Sequence, residues 1–183
     1  MFQCQKPNEN LSEEDWGIIN WQCITQCHLC SLEDIRERIT EDEETLRETG
    51  ITFKQLEDFF KKIFLYFKTN SQDFDPSEYT LIKAAFPGFL ITEEDSTCVI
   101  FGNIRIVKVS SCGAERCPFQ FPDNKCSFSH DYGSHDWFFL NKDTMEVIHI
   151  GDLLFHQICE HHFFQSPCSP YRVDPLNLLT FSN

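Results

Sequence analysis

This sequence is short of positive charge. Its 183 residues hold 15 Lys and Arg against 29 Asp and Glu, a formal net charge of −14. Nucleic-acid binding rests on neutralising phosphates, and the longest basic run is Lys61-Lys62. Neither nucleic acid nor an anionic membrane surface is therefore an expected partner. Long apolar runs are also missing. No stretch approaches the ~20 residues that a membrane-crossing helix needs, and the polar opening Met1 to Asn10 offers no apolar core for a secretory leader. A cytoplasmic protein is expected. Two catalytic zinc signatures are absent as well: there is no His-Glu-x-x-His, and no His-x-Glu paired with Pro-Cys-x-x-Cys. Internal repeats and low-complexity segments are lacking too.

What the sequence does hold is ten cysteines, seven histidines and 19 phenylalanines. The phenylalanines suit a well-filled apolar core. In a cytoplasmic protein the cysteines point to metal binding or buried thiols rather than to a disulfide framework.

The pattern predicts an α+β protein, with a helical N-terminal region over 1–72 and a mixed domain over 73–183 that contains a zinc-stabilised ββα unit. Ser12 to Asp15 has the form of a capping box ahead of the stripe Trp16, Ile19, Cys23, which predicts a helix to about His28. Leu32, Ile35, Ile39 and Leu46 give a second, thin stripe. The acidic run Glu41 to Glu44 reads as a solvated face or loop, and Gly50 as a stop. A third helix, Gln55 to about Lys68, carries the broad stripe Leu56, Phe59, Phe60, Ile63, Phe64 and Phe67. The shape around Gly50 resembles a helix-turn-helix but lacks the basic face that motif needs.

Thr69 to Pro76 reads as a linker, followed by a short helix to Ala85. Strands are predicted at Phe89–Thr92, Cys98–Phe101 and Asn103–Val109, then a hairpin from Asp136–Asn141 and Met145–Ile150. A helix over Leu153–Phe164 and a short one over Leu176–Leu179 complete the chain.

The strongest constellation is Cys117, Cys126, His156 and His161. Zinc favours tetrahedral sets of thiolate and imidazole, and His-x4-His has a zinc-finger helix spacing. Residues five apart do not share a helix face, so the helix must tighten or bend near His161. The gap of eight between the cysteines requires a loop closing on itself, which Pro118, Pro122 and Asn124 permit. The alternative is that these are buried thiols and surface histidines. A competing set, Cys112, Cys117, Cys126 and His130, has the residue types of a Cys3His finger but departs from its order of spacings, and His135 is a further reserve ligand. Cys23-x3-Cys27-x2-Cys30 matches a radical-SAM pattern without the barrel that chemistry requires. Cys23 and Cys27 read better as core contacts, with a second metal site including His28 as an alternative.

The C-terminal third resembles a group of small uncharacterised bacterial proteins. The resemblance rests on Gly133-Ser-x-Asp-Trp137, on Leu154-x-His156-x4-His161-x-Phe-Phe, and on Ser169-Pro-Tyr-Arg-Val-Asp-Pro175. It implies that His156 and His161 act as a pair and that the tail belongs to the same unit. It implies no reaction. Cys168 departs from the small residue the resemblance leads one to expect.

The function expected from these residues is a zinc-binding module that meets another protein, with a structural metal held by Cys117, Cys126, His156 and His161. A hydrolase or transferase with an open zinc position beside Glu160, His135 or Arg172 is the alternative. A nucleic-acid-binding finger is disfavoured by the helix itself, which from Asp152 to Phe164 has no Lys or Arg. Arg172 is expected to pair with Asp174 or with a helix carboxylate.

Overall fold

The structure, a computed structural model, describes residues 8, 10–70, 76–89, 91–92, 96–110, 116–120, 126 and 135–182. Its elements are α1 (Glu13–Thr25), α2 (Ile35–Thr49), α3 (Phe53–Thr69), α4 (Pro76–Ala85), β1 (Ser96–Phe101), β2 (Ile104–Ser110), β3 (His135–Asn141), β4 (Val147–Gly151), α5 (Asp152–His161) and α6 (Pro175–Ser182). Among the described residues between β2 and β3 lies a 3₁₀ turn, Pro118–Gln120. The four strands form one antiparallel sheet in chain order. The protein is thus α+β, as its patterning indicates.

Local chemistry sets the helix ends. Ser12 and Asp15 satisfy each other's backbone N–H groups at the start of α1, and Thr52 and Gln55 do the same for α3. Gly50 closes α2 in the left-handed region, at φ 75°, where a Cβ would be disfavoured. Pro175 opens α6, and Asp174 accepts a hydrogen bond from the Leu176 N–H.

Several boundaries differ from the sequence expectation. Helix α1 stops at Thr25 because Cys27 takes φ 60°, and the His28 and Leu29 N–H groups then return to the Cys23 carbonyl. The acidic run Glu41 to Glu44 is helical and not wholly solvated: Asp42 is buried, bound by Arg172 at 2.9 Å with Arg38 at 3.5 Å. Leu32 precedes α2 and is almost fully exposed, so it is no part of that helix's stripe. Phe89, Ile91 and Thr92 are in no strand. The Phe89 N–H instead closes a turn onto the Phe86 carbonyl, and its ring packs on Phe138 and His149. Strand β4 starts late because Asn141 Oδ1 accepts from the Asp143 and Thr144 N–H groups and Met145 takes φ 62°. Helix α6 runs further than the expected Leu176–Leu179.

The sheet is covered on both faces. On one, Leu56, Phe60 and Ile63 of α3 join Ile106, Phe139 and Ile150 of the sheet with Phe155 of α5 and Phe181 of α6. Residues from both sides of position 72 therefore share this cluster. On the other, Ile82 of α4 and Ile91 meet Cys98, Val107 and Phe138. Burial of each such side chain contributes roughly 1.5–3 kcal/mol. Double-sided covering explains the broken alternation of β2, where Ile104, Arg105, Ile106 and Val107 are all buried. Arg105 is tolerated there because it pairs with Glu78 and donates to Cys98 Sγ at 3.4 Å.

A third cluster lies apart from the sheet. Ile19 and Cys23 of α1, Leu29, and Ile35 and Ile39 of α2 pack with Cys117, Phe119, Cys126, Leu153 and Phe163.

Candidate metal centre

That third cluster holds the four side chains the spacing singles out. Cys117 enters on the residue before the 3₁₀ turn, whose Gln120 N–H returns to the Cys117 carbonyl at 3.0 Å. Cys126 comes from the segment that follows. His156 projects from the middle of α5, and His161 is the last residue of that helix. The helix solves the five-residue spacing by ending there. His162 turns left-handed at φ 57°, and the His162 and Phe163 N–H groups both bond the Gln157 carbonyl. Helix α5 therefore stops short of the Phe164 its pattern suggests.

The donor atoms of Cys117, Cys126, His156 and His161 all lie within 4.8 Å of one another, and all four residues are buried. His156 Nε2 is 3.0 Å from Cys126 Sγ and 3.3 Å from His161 Nε2. The two imidazoles cross at 80°, and Phe119 stacks flat on His161 with ring centroids 3.9 Å apart. Phe119, itself buried, thus packs flat against one of the candidate ligand rings.

Burial and the contacts within the cluster together shape the titration. It pushes the His161 pKa down to about 4, so that imidazole is neutral and offers a lone pair. Burial also pushes the Cys117 thiol up. Cys126 moves the other way, because the Cys117 thiol and then the two imidazoles hydrogen-bond to it. The cluster therefore brings thiol and imidazole donors to a common centre. These four residues could hold a metal ion.

Geometry agrees with a small tetrahedral ion in one respect and needs adjustment in another. Two nitrogens each ~2.0–2.1 Å from a tetrahedral zinc stand about 3.3–3.4 Å apart, and the two Nε2 atoms are 3.3 Å apart here. The corresponding sulfur–nitrogen separation would be about 3.5 Å, so Cys126 Sγ and His156 Nε2, at 3.0 Å, would open by about half an ångström on loading.

The other sequence candidates lie elsewhere. His135 binds Asp152 at 2.9 Å, and Trp137 donates to the same carboxylate at 2.7 Å. Arg172 binds Asp42 of α2, a helix carboxylate as expected, and also the Gln165 carbonyl. Glu160 is half-buried and outside the cluster. Cys112 and His130 lie outside the described residues, as do Gly133 and Ser134. Cys23 is a core contact but Cys27 is exposed, its helix having ended two residues earlier. Cys30 is disulfide-bonded to Cys168, which corrects the expectation of metal or buried thiols for that pair. Nothing in the spacing of two cysteines 138 residues apart signals it. Leu153 to Ile158 of helix α5 are all buried.

Fold and site together define an α+β protein with a buried two-cysteine, two-histidine cluster that could hold a metal ion. No family model, no curated protein and no solved structure matches the chain.

Proposed function

We propose that the chain is a zinc-binding module whose metal is structural and whose partner is another protein. The observation that carries this is the convergence of four buried thiol and imidazole donors from separate segments within 4.8 Å. Zinc is the ion whose ligand preference, two sulfurs and two nitrogens in a tetrahedron, these residues meet. A structural role is favoured over a catalytic one because four protein donors already make a full tetrahedral set, all four are at most 5% exposed, and Phe119 stacks on His161. When bound, the ion would tie the segment around Cys117 and Cys126 to the end of α5, and its binding free energy would add to folding. A net charge of −14 and a buried α5 turn the partner away from nucleic acid and toward a protein surface of basic character.

Elemental analysis of the purified full chain tests the site. One equivalent of zinc per chain is expected, with loss of the metal and of thermal stability in Cys126→Ser. Less than half an equivalent in the wild type, or unchanged metal content in Cys126→Ser, refutes the assignment. Two bound equivalents, or a zinc-bound water titrating near neutral pH, would move the reading to catalysis.

A further inference from the structure

Cys30 and Cys168 lie outside the metal cluster and belong to different ends of the chain. Their Cα atoms are 5.8 Å apart and their sulfurs are joined, across a sequence separation of 138. Cys168 is exposed and Cys30 half-buried, whereas Cys23, Cys98, Cys117 and Cys126 are buried. The pair is therefore within reach of small solutes.

Its surroundings hold the two sulfurs together independently of the bond between them. The Ser166 N–H donates to the His28 carbonyl at 2.9 Å. This seats the 166–168 turn against the 28–30 segment through the backbone. The Ser166 hydroxyl lies 2.8 Å from Cys30 Sγ and 3.2 Å from Cys168 Sγ. It also accepts from the Cys168 N–H at 3.4 Å, which leaves its own proton free to point at a sulfur. Glu33 accepts from the Cys30 N–H at 3.1 Å, and its carboxylate is within 4.8 Å of both sulfurs. A negative group there disfavours a thiolate on either sulfur, so exposure is what makes Cys168 the one a small disulfide reaches first. A reduced pair would stay adjacent, so closing the bond is an intramolecular reaction at high effective concentration.

We infer that Cys30 and Cys168 form a reversible thiol–disulfide exchange site for low-molecular-weight disulfides of the glutathione class, with Ser166 as its positioning residue. The exposed Cys168 thiolate attacks one sulfur of the small disulfide, breaking its S–S bond and releasing one small thiolate. Cys30 then gives up its proton to solvent and attacks the Cys168 sulfur, releasing the second small thiolate. Two protein thiols are oxidised by two electrons and one small disulfide is reduced to two thiols, which take up the two protons lost by the protein. The product clasps the loop after α1 to the segment after α5. Ser166 assists by donating a hydrogen bond to whichever sulfur is anionic.

The test uses the full chain as purified, equilibrated in buffers of fixed reduced-to-oxidised glutathione ratio, then acid-quenched, alkylated, digested and mapped by mass. The expected result is one two-electron transition in which the Cys30–Cys168 bond alone forms and breaks, with a transient glutathione adduct on Cys168. Ser166→Ala is expected to slow closure about ten-fold, the loss of one hydrogen bond to a charged sulfur, and to shift the pH profile of exchange upward, with Ser166→Thr restoring both. The inference is overturned by a Cys27–Cys30 bond as the oxidised product, by disulfides between chains, or by a stable Cys168 adduct that never closes. A bond that persists in the most reducing buffer, or never forms in the most oxidising one, overturns it equally. The wild-type measurements decide the matter even if a Ser166 variant fails to fold.

Discussion

Replacing Arg172 by alanine is the sharpest test of how the C-terminal segment is held. Arg172 reaches Asp42 through both terminal nitrogens, at 2.9 and 3.4 Å, and also donates to the Gln165 carbonyl. Asp42 is 1% exposed. With Arg172 gone, its nearest cation is Arg38 at 3.5 Å. Removing one partner of a buried pair costs roughly 3–5 kcal/mol, because the remaining charge is left desolvated. At about 2–4 °C per kcal/mol for a chain of this size, the melting temperature should fall by about 6–20 °C. The pH dependence separates this cause from lost packing. Burial already raises the Asp42 pKa above its usual value, against the hydrogen bond and charge of Arg172 and the charge of Arg38. A carboxyl with a raised folded pKa favours the folded state most when protonated, and that contribution is lost as pH rises through the folded pKa. Arg172→Ala removes two of the effects holding the pKa down, so the pKa climbs further. The deficit relative to wild type should therefore be largest near pH 7.5 and narrow toward pH 5. Adding Asp42→Asn to Arg172→Ala should recover stability at pH 7.5 and change little at pH 5. Thermal unfolding followed by circular dichroism at the two pH values gives the answer. A deficit below about 1 kcal/mol, the worth of an exposed pair, or one independent of pH, refutes the buried-charge argument.

Three further outcomes are expected. Phe119→Ala deletes a ring that is 1% exposed and stacked on His161, and should cost about 3–5 kcal/mol in denaturant unfolding while weakening zinc retention against a chelator. If zinc retention is unchanged, the ring does not position His161. Thr52→Ala breaks the capping box of α3 and should cost about 1 kcal/mol, whereas Thr52→Ser should be close to neutral by the same unfolding assay. Reducing the Cys30–Cys168 bond opens a loop set by a separation of 138 residues. The chain-entropy ceiling is about 5 kcal/mol, read as the difference in unfolding free energy between oxidised and reduced wild type, and a more stable reduced form would contradict it.

Helix existence was legible because the signals are local. The capping box of α1, the broad stripe of α3 and the Gly50 stop each lie within a few residues of sequence. Boundaries failed where a side chain or a left-handed residue overrode the pattern: Cys27 at the end of α1, His162 at the end of α5, and Asn141 delaying β4. Phe89 to Thr92 has strand composition, but the turn at Phe86 to Phe89 turns the Phe89 ring onto Phe138 and His149 instead. The Cys/His cluster was legible because metal-ligand chemistry restricts residue type and spacing together. Phe119 was not, since one Phe among 19 carries no mark of what it will stack on. Asp42 was hidden in an acidic run whose other members are exposed, because its inward direction depends on where α2 lies against the 165–172 segment.

The contacts of that segment explain why so much chemistry gathers there. Apolar packing places α3 on the sheet through Phe60 and Ile63 against Phe139 and Ile150, but such contacts are non-directional and tolerate sliding. The first two helices are tied to residues 156–172 by bonds that do not tolerate it. The Asn8 amide donates to the His161 carbonyl at 3.3 Å, and Glu43 binds His162 Nδ1 at 2.7 Å. The His28 carbonyl accepts from Ser166 at 2.9 Å, while the His28 ring meets the Gln157 amide at 3.3 Å. Asp42 holds Arg172, and Cys30 is bonded to Cys168. Two metal-ligand candidates, His156 and His161, sit on this same short stretch, each beside a residue that makes one of these bonds. A metal there would act on more than its own loop: by fixing the end of α5, it would fix the segment on which the orientation of α1 and α2 depends.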